Sequence, residues 1–268
     1  MNTEKTKIHF TDNYLINPTN PINVNVIGAG GTGSKVLTAL MEMNHSLIEL
    51  GHAGLCVRLW DDDIVTSANL GRQRFAESEV GLYKSVTLIN RVNRFMGTNW
   101  KAETVKFEKG HLGKLPKNAE ASIYISCVDS VKSRFDIADI LNLVNNHRFQ
   151  RDAPKYWMDF GNTQYTGQVI LSTIGIVKQP KSEKYETVAS LPFVTDEFGD
   201  LLIQSQEQDD TPSCSLAEAL EKQDLFINSA LAQMGCSLLW NLFRYGMTEN
   251  RGFFLNLKNF NSHPLKIA

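Results

Sequence analysis

Residues 59–84 read LWDDDIVTSANLGRQRFAESEVGLYK: three aspartates, Asp61, Asp62 and Asp63, behind an apolar run, then Asn69, Arg72, Gln73 and Lys84. A carboxylate accepts two hydrogen bonds side by side, an amide both donates and accepts, Arg presents a planar fork and Lys a point charge. One carboxylate at the end of a buried strand can hold a vicinal diol, and two cations with two amides can hold a polyanion. Each basic residue alone is more often a solvated surface charge, and a triple aspartate reads as a solvated turn. For Asp62 the turn is the preferred reading; for the rest the combination points to chemistry.

A second group precedes it. Gly28, Gly30 and Gly33, with Gly31 inside the same GAGGTG run, form G-x-G-x-x-G directly after the β-branched INVNVIG. Glycines there let the backbone approach a phosphate, and the N-terminus of a following helix offers unpaired N–H groups. A tight turn with close helix–strand packing is the plainer alternative. In a dinucleotide fold the ribose-binding acid follows the last glycine by about 20 residues. Here Asp61 follows Gly33 by 28 (61 − 33), which keeps ribose recognition but does not favour a simple NAD enzyme. Arg72 and Lys84, with Asn69 and Gln73, shift the expected ligand to a nucleoside triphosphate.

These residues need a scaffold, and the hydrophobic pattern describes one. INVNVIG and LCVRLW read as strands; Val36, Leu37, Leu40, Met41, Leu47 and Ile48 recur at helical steps until Gly51. A helix is expected over 78–96 with Val86, Leu88, Ile89, Val92 and Phe95 inward. AETVKF and SIYISCVD follow as strands, SRFDIADILNLVN as a helix, and YWMDFG and GQVILSTIGIV again as strands. The alternation predicts an α/β fold, a Rossmann-like, doubly wound, mainly parallel sheet with antiparallel C-terminal strands. A single domain over 1–268 is expected, with an irregular arm at 1–21 and a long, polar crossover loop at 178–212. Beyond it a helix is expected from the Ser215/Glu218 capping box, and FFLNLKN reads as a last strand.

The motifs GAGGTG, DDDIVTSANLGRQ, VGLYKSVTLINRVN and CVDSVKSR, in this order, resemble the adenylation domain of the ThiF/MoeB/HesA family, bacterial relatives of ubiquitin-activating enzymes. MDFGNTQYTGQV extends the likeness to roughly residues 22–177, and within that family the length and DDTPSCSLAEALEKQDLFIN look closest to the ThiF-like proteins of PRTRC gene systems. The resemblance implies an adenylyltransferase: the C-terminal glycine carboxylate of a small ubiquitin-like or sulfur-carrier protein attacks the α-phosphate of ATP, giving acyl-adenylate and pyrophosphate. It implies that Asp61 holds the ribose, with Asp63 matching the second acid of the pattern. Asn69, Arg72 and Lys84 would bind phosphates, Gln73 would add a contact, and Asp129 would hold Mg²⁺. As a residue, Asp129 reads equally as the N-cap of the helix after it. Homodimers are common in the family, so a homodimer is expected.

Departures from the pattern matter as well. The family's paired Cys-x-x-Cys motifs are missing, so no structural zinc is expected, and no Arg precedes Arg58 to reach into a partner's site. Cys214 stands between Pro212 and the capping box, where a helix N-terminus favours thiolate; it reads either as a nucleophile for a thioester step after adenylation or as a chance cysteine. Cys56, Cys127 and Cys236 sit in apolar stretches and read as core. Hydrophobic residues make up 42% and charged residues 21%, so a packed core is expected, and a net charge of −2 argues against a general nucleic-acid binder. With no signal peptide and no bilayer-length apolar run, no membrane association and a cytoplasmic location are expected. An NAD-dependent oxidoreductase and a non-catalytic nucleotide-binding interaction protein are the competing readings.

Overall fold

The computed structural model describes residues 5–71, 73–109, 118–144, 153–206 and 223–268. Among these residues the chain runs β1 (Lys7–Phe10), α1 (Asn13–Ile16), β2 (Ile22–Ile27), α2 (Gly31–Glu49), β3 (Leu55–Trp60), α3 (Lys84–Met96), β4 (Lys101–Glu103), β5 (Ile123–Ser126), α4 (Val131–Val144), β6 (Tyr156–Asn162), β7 (Thr166–Thr173), β8 (Glu186–Thr187), α5 (Val194–Gln206), α6 (Ile227–Tyr245), β9 (Met247–Thr248), β10 (Asn250–Asn256) and β11 (Asn261–Lys266). An eight-stranded sheet has the order β11-β10-β7-β6-β5-β2-β3-β4, parallel from β4 to β6 and antiparallel from β6 to β11. This is the expected Rossmann-like α/β class.

Strand β2 alternates Ile22, Val24 and Val26 with Asn23 and Asn25, yet it is buried on both faces, because Asn25 is itself buried with its Nδ2 donating to the Ala119 carbonyl and its Oδ1 accepting from Trp60 Nε1. One core cluster joins β2, β3 and β7 to α2, α3 and α6; a second joins Trp60, Tyr124 and Trp157 to α4 and α5. Leu37 and Leu40 of α2 are almost fully buried, each worth about 1.5–3 kcal/mol of transfer free energy. The register aligns the strand ends: Ile27 pairs with Trp60 and with Ser126, and Ser126 pairs with Asp159. The residues following β2, β3 and β5 therefore emerge at one edge of the sheet.

Several expectations need correction. The arm at 1–21 is not wholly irregular: β1 pairs with β8 and β9 in a small three-stranded sheet, and the His9–Tyr156 side-chain bond ties it to β6 of the main sheet. The stretch at 178–212 contains β8 and α5, whose Val194 and Leu202 pack into the second core cluster. The helix expected over 78–96 begins only at Lys84, after a short 3₁₀ turn at Glu77–Glu79. Ile48 and Phe95 lie outward, 50% and 74% exposed, each in the last turn of its helix. β11 had no alternating signal, since it is an exposed edge strand. The Ser215/Glu218 capping box lies outside the described residues, and α6 starts at Ile227 with Asp224 Oδ1 accepting from the N–H groups of Phe226 and Ile227.

Candidate functional site

The glycine loop leaves β2 at the point where the strand order reverses, with β3 on one side and β5 on the other. Such a switch point opens a crevice at the carboxyl ends of the strands. Gly28 has φ +96°, a left-handed value open mainly to glycine, and its N–H donates to the Trp60 carbonyl at 2.8 Å. A Cβ on Gly33 would overlap the Gly28 carbonyl oxygen, so this glycine serves close packing of helix on loop. Gly30 is different: nothing lies within 4 Å of its Cβ position, which faces open space. A Cβ on Gly31 would stand 2.7 Å from Asn228 Nδ2, so α6 closes over the start of α2.

Asp61 follows β3 and is held from both sides. Its Oδ2 accepts from the Ala29 N–H at 2.6 Å and its Oδ1 from the Asp63 N–H at 3.0 Å. Burial pushes its carboxyl up from the ordinary 3.8, while the Ala29 N–H and Lys84 pull it down. Lys84 opens α3 with a buried side chain, and its Nζ donates to Asp63 Oδ2 at 2.8 Å. Gln73 is 7% exposed, and its Oε1 has no hydrogen-bond partner among the described residues although it lines the crevice. Asn69 is placed otherwise: its Oδ1 accepts from the Thr66 N–H and hydroxyl, fixing a 3₁₀ turn, and it does not line the crevice. Arg72 and Cys214 lie outside the described residues.

Opposite Asp61, the segment after β5 brings Asp129 to the same crevice, which has a volume of about 650 Å³. The helix-capping role belongs to its neighbour: Ser130 Oγ accepts from the Ser133 N–H at 3.1 Å. That leaves the exposed Asp129 carboxylate facing the opening. A lone carboxylate fits Mg²⁺, which takes one or two carboxylates and completes its shell with phosphate oxygens and water. Among the described residues no cluster of three or more His, Cys, Asp or Glu could hold a metal by protein ligands alone. The open face of Gly30 and the orphaned Gln73 oxygen fit a phosphorylated nucleoside.

Several residues lining this crevice were not among the expected site residues. Thr32 donates its hydroxyl to Asn228 Oδ1 at 2.6 Å, and Asn228 Nδ2 donates to Gln223 Oε1 at 2.8 Å, forming a neutral amide wall. Lys106 and Phe107 reach the crevice from beyond β4, where Phe107 sits edge-on to Trp60 at 5.2 Å. The rule that selected Asp61, a residue just past a parallel strand, would have selected them too. Cys127 also lines it, but burial and the Asp159 carboxylate push its thiol well above the ordinary value. Cys236, on the buried face of α6, is pushed up to about 12 by burial. Cys236 is buried packing, as expected from its apolar setting, whereas Cys127, expected in the core, is only partly buried at the crevice wall.

An open α/β sheet with a glycine loop and two carboxylates at its switch point defines a nucleotide-binding class of protein. The ThiF family profile matches residues 19–267, and the chain belongs to the ThiF family. In structure it resembles MccB of E. coli, with a TM-score of 0.60 at 14% identity over 95% of this chain and 63% of that chain. An MccB structure with ATP gives 0.57 at 16% identity, covering 95% and 65%, and PaaA gives 0.58 at 13% identity, covering 92% and 64%. Likeness at that identity speaks for the fold, and the chain spans less than two thirds of the length of these neighbours. No curated protein matches the sequence. Among the described residues, no helix is long and apolar enough to cross a membrane.

Proposed function

We propose that this ThiF-family chain uses ATP to adenylate a carboxylate, and that the substrate is the C-terminal glycine of a small ubiquitin-like or sulfur-carrier protein. The observation carrying this reading is the single crevice in which Asp61, Lys84 and Gln73 stand on one side of the glycine loop and Asp129 on the other. Asp61, an ionised double acceptor already holding two N–H groups, has the chemistry to orient ribose hydroxyls. The glycine loop and the first turn of α2 present N–H groups to phosphate. Lys84, and Arg72 by its place in the motif, supply the cations. The acceptor oxygen attacks the α-phosphorus, the bond to the bridging oxygen of pyrophosphate breaks, and Lys84 offsets charge moving onto the leaving group. Mg²⁺, held by Asp129, would neutralise phosphate charge when bound.

Finer points belong to the same reading. Asn69 would position the loop carrying Arg72 and Gln73 instead of meeting phosphate directly. Exposed Ile64, Val80, Leu82 and Tyr83 adjoin this loop and support a homodimer. A thioester step would use Cys214, and the cytoplasm is the expected compartment. Of the solved relatives, MccB has been obtained both with ATP and with MccA, which supports a pairing of nucleotide and acceptor in this fold. The deciding experiment is ATP–pyrophosphate exchange with a co-purified or genetically adjacent small protein ending in glycine. Exchange, abolished by Asp129→Ala in a folded protein, is the expected result; ATP binding without exchange for any such acceptor would leave a non-catalytic nucleotide binder. In Cys214→Ala, exchange should persist while a thiol-sensitive conjugate disappears.

A further inference from the structure

Directly beneath the crevice lies a charged pair that the reaction does not touch. Arg134, in the first turn of α4, is 5% exposed and Asp159 of β6 is 1% exposed. The Arg134 Nε donates to both Asp159 oxygens, at 3.2 and 3.1 Å. Its Nη2 donates to two backbone carbonyls, Val128 at 2.7 Å and Phe160 at 3.0 Å. Asp159 Oδ1 accepts a further bond from Ser126 Oγ at 2.6 Å, and Ser126 Oγ accepts from Trp157 Nε1 at 2.7 Å. A Cβ on Gly161 would overlap the Gln168 amide and stand 3.1 Å from Arg134 Nη2, so the glycine leaves room first for Gln168 and then for the guanidinium.

A buried ion pair is a poor way to gain stability, because desolvation of both charges offsets their attraction and an apolar pair of similar volume usually serves as well. What an apolar pair cannot do is hold two carbonyls of different segments with one rigid fork. Val128 immediately precedes Asp129, and Val128 and Phe160 both line the crevice. We infer that Arg134 and Asp159 are positioning residues that fix the backbone carrying Asp129, so that its carboxylate meets the metal–phosphate group at a set place. The inference rests on the reading above in which Asp129 holds Mg²⁺.

The test is calorimetric titration of ATP with Mg²⁺ and with chelator, on the full-length protein, alongside thermal unfolding. The variants are Arg134→Lys, which keeps the charge but loses the fork, and Arg134→Met with Asp159→Asn, which removes both charges and keeps an acceptor for Ser126. The expected result is a folded protein whose metal-free ATP affinity is unchanged, and whose Mg²⁺-dependent gain in affinity falls roughly 10- to 100-fold. Folded variants that keep the full gain would overturn the inference. So would an equal loss without metal, which would make the pair a general support of the crevice, and so would failure of both variants to fold, which would make it a stability element. If wild type shows no Mg²⁺-dependent gain, or Asp129→Ala keeps it, the Asp129 assignment itself fails, and that outcome is distinguished by lying in proteins whose Arg134 is intact.

Discussion

Lys84 Nζ lies 2.8 Å from Asp63 Oδ2, a bond between a side chain that is 9% exposed and one that is 66% exposed. The cation is thus stored at the crevice against a carboxylate that water can solvate if a phosphate takes its place. Because Asp63 is open to solvent, the pair contributes at most about 1 kcal/mol to the fold. Lys84→Met should therefore unfold at nearly the wild-type temperature. Its pyrophosphate exchange should fall by about 10²-fold or more, the scale for losing one preorganised donor to developing charge. Comparable exchange in the folded variant would remove Lys84 from the phosphate group.

The glycines of one loop should separate stability from binding. Gly33 has the Gly28 carbonyl against its Cβ position, whereas Gly30 has open space. Gly33→Ala should lower the unfolding temperature sharply, since backbone must move. Gly30→Ala, at φ −75° and without strain, should unfold like wild type yet bind ATP weakly because a methyl group then occupies the phosphate's approach. The reverse ranking in thermal unfolding and calorimetry would show that the loop packs differently.

How much of this was legible in the sequence depends on range. The strand–loop–helix around Gly28 was readable because its glycines, its β-branched strand and the 3.6-residue period of Val36, Leu37 and Leu40 are all local. Asp61 and Asp129 could be placed because parallel strands put their carboxyl ends at one edge, and the register of Ile27 with Trp60 and Ser126 does so. The roles of Asn69 and Ser130 were not readable. An Asn or Ser near a turn can cap or bind, and only the geometry assigns both to local backbone. The wall of Thr32 and Asn228 joins positions 196 residues apart, for which a single sequence carries no signal. β1 was missed for the same reason, since its partners β8 and β9 come from the far end of the chain.

Asp61 offers a pH test. Burial raises its pKa above 3.8, so the folded chain takes up a proton at higher pH than the unfolded chain does. Stability from this residue consequently declines as pH rises through that window, while ribose binding needs the ionised form and strengthens. Adenosine, which has no phosphate to titrate, should bind progressively more weakly as pH falls from 7 toward the raised value. Asp61→Asn should bind weakly throughout with little pH dependence. A wild-type profile that stays flat to pH 4 would contradict the ribose assignment.

His9 predicts the opposite sign, and its surroundings show why. The ring is fully buried, with Nδ1 2.7 Å from the Val188 carbonyl and Nε2 2.8 Å from the Tyr156 hydroxyl, which also accepts from the Asp12 N–H at 3.0 Å. The carbonyl requires a proton on Nδ1, so Nε2 is the acceptor and Tyr156 the donor. Protonating Nε2 would leave the tyrosine hydrogen without an acceptor in a buried place, and burial accordingly lowers the pKa below 6.5. Asp12, paired with Lys155 at 2.9 Å, supplies no free counter-charge. The unfolded chain then binds more protons below pH 6.5, so stability is retained above that value and lost as pH falls below it, by at most about 1.4 kcal/mol per pH unit. Urea unfolding between pH 5 and 8 should show this slope, and His9→Gln should reduce it. Amide protection in β1, taken relative to the intrinsic exchange rate at each pH, should fall as pH drops over the same range, because His9 helps fasten that strand to Tyr156 of β6; protection independent of pH would place the fastening in the neighbouring Thr11 and Asp12 contacts.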